Sequence, residues 1–242
     1  MRSILKTRQT SNNCHFNFLA MDLIDIKENF SDLMQIYSFL DEIIIKVLKC
    51  KQIHKPTLIP YYHGKVKNDC GVSCYSFFDG GYITFHIFEK RRIAYVDIVR
   101  DESFDVDKVI KFASKICETK KYNIYTNSTT NEICNKDVFG PHYIASGTLR
   151  KQMNINQLLD LQNTIINEIN MTPICNPVIV KDGESVRLFI AIAESHISLF
   201  VNKKQVKIDV FSCKMFDVDQ LKNILKSTMN MGDEILFTRL NK

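Results

Sequence analysis

The sequence predicts an α+β protein built as two tandem copies of an α/β sandwich unit, each an antiparallel sheet with helices on one face, forming a pseudo-dimer. Three observations predict it. Segments rich in β-branched and aromatic residues alternate with charged turns, as antiparallel strands do. Stretches with apolar residues near the helical period interrupt them. The order of these segments then repeats: Tyr82–His86, a charged turn, Ile93–Val99 and Phe104-Asp105-Val106-Asp107 return as His196–Phe200, a charged turn, Val206–Phe211 and Phe216-Asp217-Val218-Asp219. The second copy is two residues shorter, and both are lost from the turn.

Cys14–Phe18 and Pro141–Ile144 read as opening strands, each before a long amphipathic stretch, Phe30–Leu48 and Ile155–Ile169. Leu158, Leu159, Leu161, Ile165, Ile166 and Ile169 recur near the helical period. After the strand pairs, Lys108–Thr119 and Gln220–Met229 read as second helices. Each half is thus strand, helix, several strands, helix, strand. The first repeat spans 14–126 and the second 140–242, after a polar tail at 1–13; Asn127–Phe139, rich in Asn, Thr and Asp, reads as a surface link. Lys90, Arg91 and Arg92 fall at a hairpin tip and read as a solvated turn.

Composition narrows the class of function. A net charge of +5 spread along the chain argues against nucleic-acid binding, and no apolar run is long enough to span a membrane. The polar, basic start carries no apolar leader, so a cytoplasmic location is expected. The eight cysteines lack the spacing of a disulfide scaffold and read as reduced thiols. Cys70, Cys74 and His63 lack the second pair of ligands that a zinc site needs, so no metal is expected.

The segment that carries chemistry is Ala193-Glu194-Ser195-His196-Ile197-Ser198, at the junction of two apolar strands, followed by Ile208-Asp209-Val210-Phe211-Ser212-Cys213. Together they resemble the processing segment of bacterial and archaeal S-adenosylmethionine decarboxylases, and the outline of the resemblance runs from Cys14 to Leu240. It implies a pyruvoyl-dependent carboxy-lyase, made as a zymogen. A serine hydroxyl in a strained turn attacks the preceding carbonyl carbon, and elimination from the resulting ester leaves a covalent pyruvoyl group. That group forms a Schiff base with the substrate amine and takes up the electrons freed when carbon dioxide leaves.

The resemblance assigns Ser195 as pyruvoyl precursor, Glu194 as the new carboxyl terminus and Cys213 as proton donor. It also implies a processing histidine five residues after the serine position and a serine eight residues before it, supplied by the opposite half. The second repeat has Phe200 and Arg187 there; the first has His86 and Ser73, with Gly81 at the nucleophile position and Asp101 facing Cys213. The two repeats have therefore lost complementary sets, and one active centre is expected. S-adenosylmethionine is the implied substrate, feeding spermidine biosynthesis, with the self-cleaved α and β chains staying associated and homodimerisation left open. Glu89 is a candidate substrate-binding residue, shifted one place from the family's glutamate. Lys67 stands where an adenine-stacking aromatic is expected, and Ser146 and Leu149 where glutamates are expected. These departures leave open a pyruvoyl decarboxylase acting on ornithine or arginine, and a non-catalytic member acting as an interaction protein.

Overall fold

The structure is a computed structural model and describes residues 17–28, 30, 32–61, 67–126, 130–132, 140–193 and 195–239. The chain divides into two compact units, His15–Val138 and Phe139–Lys242. In the first, β1 (Asn17–Ile24) and α1 (Leu33–Glu42) precede β2 (Gln52–Tyr61), β3 (Gly71–Phe78), β4 (Gly81–Phe88) and β5 (Ile93–Arg100); α2 (Val106–Ile116), β6 (Lys121–Thr126) and β7 (Thr130–Glu132) complete it. The second runs β8 (Gly140–Leu149), α3 (Ile155–Glu168), β9 (Val178–Asp182), β10 (Ser185–Ile192), β11 (Ser195–Asn202), β12 (Gln205–Ser212), α4 (Val218–Thr228) and β13 (Met229–Arg239).

Both sheets are antiparallel and have the same order. The first is β2-β3-β4-β5-β1-β6-β7, and the second, read from its other edge, is β9-β10-β11-β12-β8-β13. The duplication seen in the sequence is thus a duplication of topology. In the first hairpin Phe88 pairs with Ile93 around a four-residue turn, and in the second Asn202 pairs with Gln205 around Lys203 and Lys204. The repeated Phe-Asp-Val-Asp has a local cause: Asp105 caps α2 by accepting from the Lys108 N–H, and Asp217 caps α4 by accepting from the N–H groups of Asp219 and Gln220.

Strand alternation separates two faces in each sheet. One packs against the helices: Met21, Phe85 and Val96 meet Phe39 and Val109 in the first unit, and Leu199, Ile208 and Val210 meet Leu158, Ile165 and Leu221 in the second. The other face carries Ser73, His86 and Asp97 in the first unit, and Arg187, His196, Lys207 and Asp209 in the second.

The sequence reading needs small corrections. The stretch Phe30–Leu48 is α-helical only over α1, because Ile43–Val47 continues as a turn of π-helix before Lys49 leaves with φ 53°. Met229 belongs to β13 rather than to the preceding helix, and the expected link Asn127–Phe139 contains the short strand β7, paired with β6. No helix among the described residues is long and apolar enough to cross a membrane.

Candidate active site

Ser195 is the first residue of β11, pairing with Ile192 on one side and with Ser212 on the other. Its φ is 149°, a region that residues with a Cβ rarely enter. Such a conformation costs on the order of 1–3 kcal/mol and persists only where the surroundings impose it. Here β pairing holds the strand on both flanks, and the Ala193 N–H donates to the Thr172 carbonyl at 2.8 Å. Ser195 is 1% exposed, and its Oγ has no hydrogen-bond partner among the described residues. A buried hydroxyl without a partner forfeits the hydrogen bonds it would make in water. This serine therefore combines backbone strain, burial and an uncommitted nucleophilic oxygen. Glu194, expected as the new carboxyl terminus, lies outside the described residues.

Cys213 follows Ser212, the strand partner of Ser195, and is a buried cysteine. Its counterpart Asp101 likewise follows Arg100, the partner of Gly81. The equivalence read from the sequence is therefore reproduced by the register.

In the first unit Ser73 and His86 are directly paired across β3 and β4, and Ser73 Oγ lies 2.9 Å from His86 Nδ1. A buried imidazole hydrogen-bonded to a hydroxyl can take up and return a proton. The same cross-strand position in the second unit pairs Arg187 with Phe200, the guanidinium 4.2 Å from the ring centroid, with the Lys207 ammonium 5.5 Å from the same ring. A cation–aromatic contact thus occupies the site where the first unit has its serine–histidine pair. Glu89 starts the short 3₁₀ turn between β4 and β5, and its carbonyl accepts from the Arg92 N–H. Cys74 donates its thiol to the Phe85 carbonyl at 3.0 Å, and burial pushes its pKa well up, as expected of a structural cysteine. His63 lies outside the described residues.

Sequence reasoning missed one cluster. His142, His196 and Asp209 are all buried, and their donor atoms lie within 4.8 Å of one another. His142 Nε2 is 2.7 Å from Asp209 Oδ1, and His196 Nε2 is 3.5 Å from Oδ2. Burial alone would raise the Asp209 pKa, but the two imidazoles outweigh it and hold the carboxyl well below its ordinary value. His196 and Asp209 were legible as parts of a motif; that His142 joins them depends on β8 lying beside β12, which the motif does not encode.

No family model matches the chain, and no curated protein matches it. Among solved structures, the adenosylmethionine decarboxylase of Aquifex aeolicus VF5 is similar at a TM-score of 0.37 and 13% identity, over 50% of this chain and 94% of that one. The complex of TiaS with an isoleucine tRNA and ATP is similar at 0.24 and 8% identity, over 93% of this chain and 58% of that one. An unknown protein from Galdieria sulphuraria is similar at 0.21 and 8% identity, over 93% and 99%. The similarity to the decarboxylase is a distant one.

Proposed function

We propose that the chain is a pyruvoyl-dependent decarboxylase acting on S-adenosylmethionine, and that it makes its own cofactor by cutting itself between Glu194 and Ser195. The observation that carries this reading is Ser195, a buried serine with φ 149° and a hydroxyl without a hydrogen-bond partner among the described residues. Those are the features an intramolecular nucleophile needs, since a strained amide neighbour lowers the cost of leaving the planar peptide and no competing hydrogen bond has to be broken.

In the first step Ser195 Oγ bonds to the Glu194 carbonyl carbon, the peptide C–N bond breaks, and the hydroxyl proton passes to the freed nitrogen, giving an ester. Removal of the Ser195 α-hydrogen then expels the Glu194 carboxylate. Water hydrolyses the remaining enamine, and ammonia leaves. Two chains result, and the φ torsion that stored the strain no longer exists. The Ser73–His86 pair is the assigned proton carrier for these steps. Once formed, the pyruvoyl group supplies a carbonyl that captures the substrate amine and accepts the electrons released with carbon dioxide. Cys213 is the assigned donor of the proton that replaces the lost carboxylate.

Intact mass spectrometry of the purified protein tests the first half of this reading. The expected carboxyl-terminal fragment, 195–242, has a mass of about 5.6 kDa, its share of 28.1 kDa, and a blocked amino end. It should be absent from Ser195→Ala, and a wild-type chain that stays whole rejects self-cleavage. Release of carbon dioxide from S-adenosylmethionine, ornithine and arginine tests the second half. Turnover of ornithine or arginine alone would reassign the substrate.

A further inference from the structure

We propose that His142, Asp209 and His196 are positioning residues for the cleavage, forming a buried tie across three strands that holds the backbone at Ser195 in its strained form. The inference rests on the self-cleavage proposed above. His142 lies on β8, Asp209 on β12 and His196 on β11, all on the sheet face opposite the helices. One carboxylate bridges both imidazoles, at 2.7 and 3.5 Å. Aromatic rings fix the imidazoles further: Phe189 stacks on His196 at 5.5 Å with an interplanar angle of 18°, and Phe211 lies 5.1 Å from His142 and 6.0 Å from His196. The tie spans the strand ends that present the assigned chemistry, because His196 directly follows Ser195 and Asp209 lies on the strand that leads to Cys213.

The first unit provides the internal control. By register, its counterparts of His142, His196 and Asp209 are Phe18, Tyr82 and Asp97: Phe18 and Tyr82 both pair with Val99, as His142 and His196 both pair with Phe211. The aspartate is common to both units, but both histidines occur only in the unit whose turn carries serine in place of glycine. An imposed conformation needs more than backbone pairing to hold it. Among the described residues, the His–Asp–His bridge is an interaction of the strained unit that the side chains of Phe18 and Tyr82 cannot form in the other. The carboxylate charge matters to it, since Oδ1 is taken by the hydrogen bond with His142 and Oδ2 faces His196 at 3.5 Å as an ion-pair contact. The two imidazoles keep Asp209 in that charged form.

The test follows cleavage of freshly synthesised full-length precursor with time, adding hydroxylamine to trap ester, for the wild type, Asp209→Asn and the double variant His142→Phe, His196→Tyr. The double variant installs the first unit's own residues. Cleavage is expected to slow on the order of 100-fold in both, the scale of a misplaced reacting group, and the hydroxylamine-sensitive fraction to fall with it. Val210→Ala, on the helix-facing side of β12, is expected to lower the melting temperature without changing that fraction, which separates positioning from general stability. Wild-type rates and ester fractions in both variants overturn the inference alone. So does a stoichiometric metal ion in the wild type whose chelation stops cleavage, because the three residues would then be its ligands. A wild-type chain that never cleaves overturns the proposed function along with it.

Discussion

The turns entering β4 and β11 occupy the same place in the two units and put the unusual backbone torsion on different residues. In the first, Gly80 has φ 76°, its carbonyl accepts from the Asp101 N–H at 2.9 Å, and Gly81 opens the strand so tightly that an added Cβ would lie 2.3 Å from the Val99 carbonyl oxygen. Glycine removes the strain. In the second, Ser195 opens the strand at φ 149° and carries the strain on a residue with a side chain. The positive φ falls on Gly80 in the first turn, one position before the counterpart of Ser195, and on the candidate nucleophile itself in the second. Strain on a residue with a side chain is therefore not demanded by this architecture, and its presence at Ser195 is the observation behind the function proposed above.

The sharpest way to probe the difference is to remove the serine–histidine pair that the first unit has, and that the proposed function assigns to proton transfer, where the second has Arg187 and Phe200. His86→Ala is expected to slow self-cleavage by about 10²- to 10⁴-fold, the usual loss for a general acid–base group, while Ser73→Ala slows it less because the imidazole remains. A gel time course of newly made precursor reads both, and equal rates in all three proteins would confine the reaction to the second unit.

Exchanging the turn residues gives the next largest effect. Gly81→Ser forces a Cβ against the Val99 carbonyl and the Phe78 ring, at 2.3 and 2.6 Å. Overpacking of this kind costs about 3 kcal/mol, or roughly 6–12 °C in melting temperature for a chain of this size. It is not expected to create a second cleavage site, since a serine without the His–Asp–His tie lacks the imposed conformation. The reverse exchange, Ser195→Gly, is expected to gain about 1 kcal/mol by relieving strain, measured by urea unfolding against Ser195→Ala, with neither chain cut. A loss of stability in Ser195→Gly would mean that φ 149° is not strained in this setting.

Much of the fold was legible because the duplication wrote it twice. Phe104-Asp105-Val106-Asp107 and Phe216-Asp217-Val218-Asp219 mark helix starts by their capping aspartates, and the hairpin lengths fixed which residues correspond. The Ser73–His86 pair was legible as two separate residues through a resemblance, and the register then brought them to 2.9 Å. Other features were hidden for physical reasons. The π-turn at Ile43–Val47 keeps the apolar character of a helix, so its altered hydrogen bonding leaves no periodic signal. His142 precedes Asp209 by 67 residues, and only the position of β8 beside β12 makes them neighbours. The conformation of Ser195 is a property of the assembled sheet rather than of any local residue preference.

The smallest effect concerns a second difference between the units, at the ends of their second helices. Cys117 terminates α2 where Met229 terminates α4, and Cys74 in β3 stands where Leu188 stands in β10. Burial pushes the Cys117 thiol from 9.0 up to about 12, and Cys74 moves in the same direction. Below pH 9 folded and unfolded chains both keep these protons, and the thiols leave stability unchanged. As the pH rises past that value only the unfolded chain releases them, so stability falls until the folded thiols titrate in turn. For Cys117 the slope is about 1.4 kcal/mol per pH unit at its steepest. Urea unfolding of the wild type and of Cys117→Ala at pH 8 and pH 10 isolates this contribution as a difference of differences, which cancels the cavity that the alanine leaves. The wild type should lose about 1.4 kcal/mol more than the variant over that interval, since ionisation of the unfolded thiol centred at 9.0 amounts to one pH unit of full slope. Equal losses would show that Cys117 is ionised as easily in the folded unit as in the unfolded chain, and that its burial does not set the alkaline limit of the first unit.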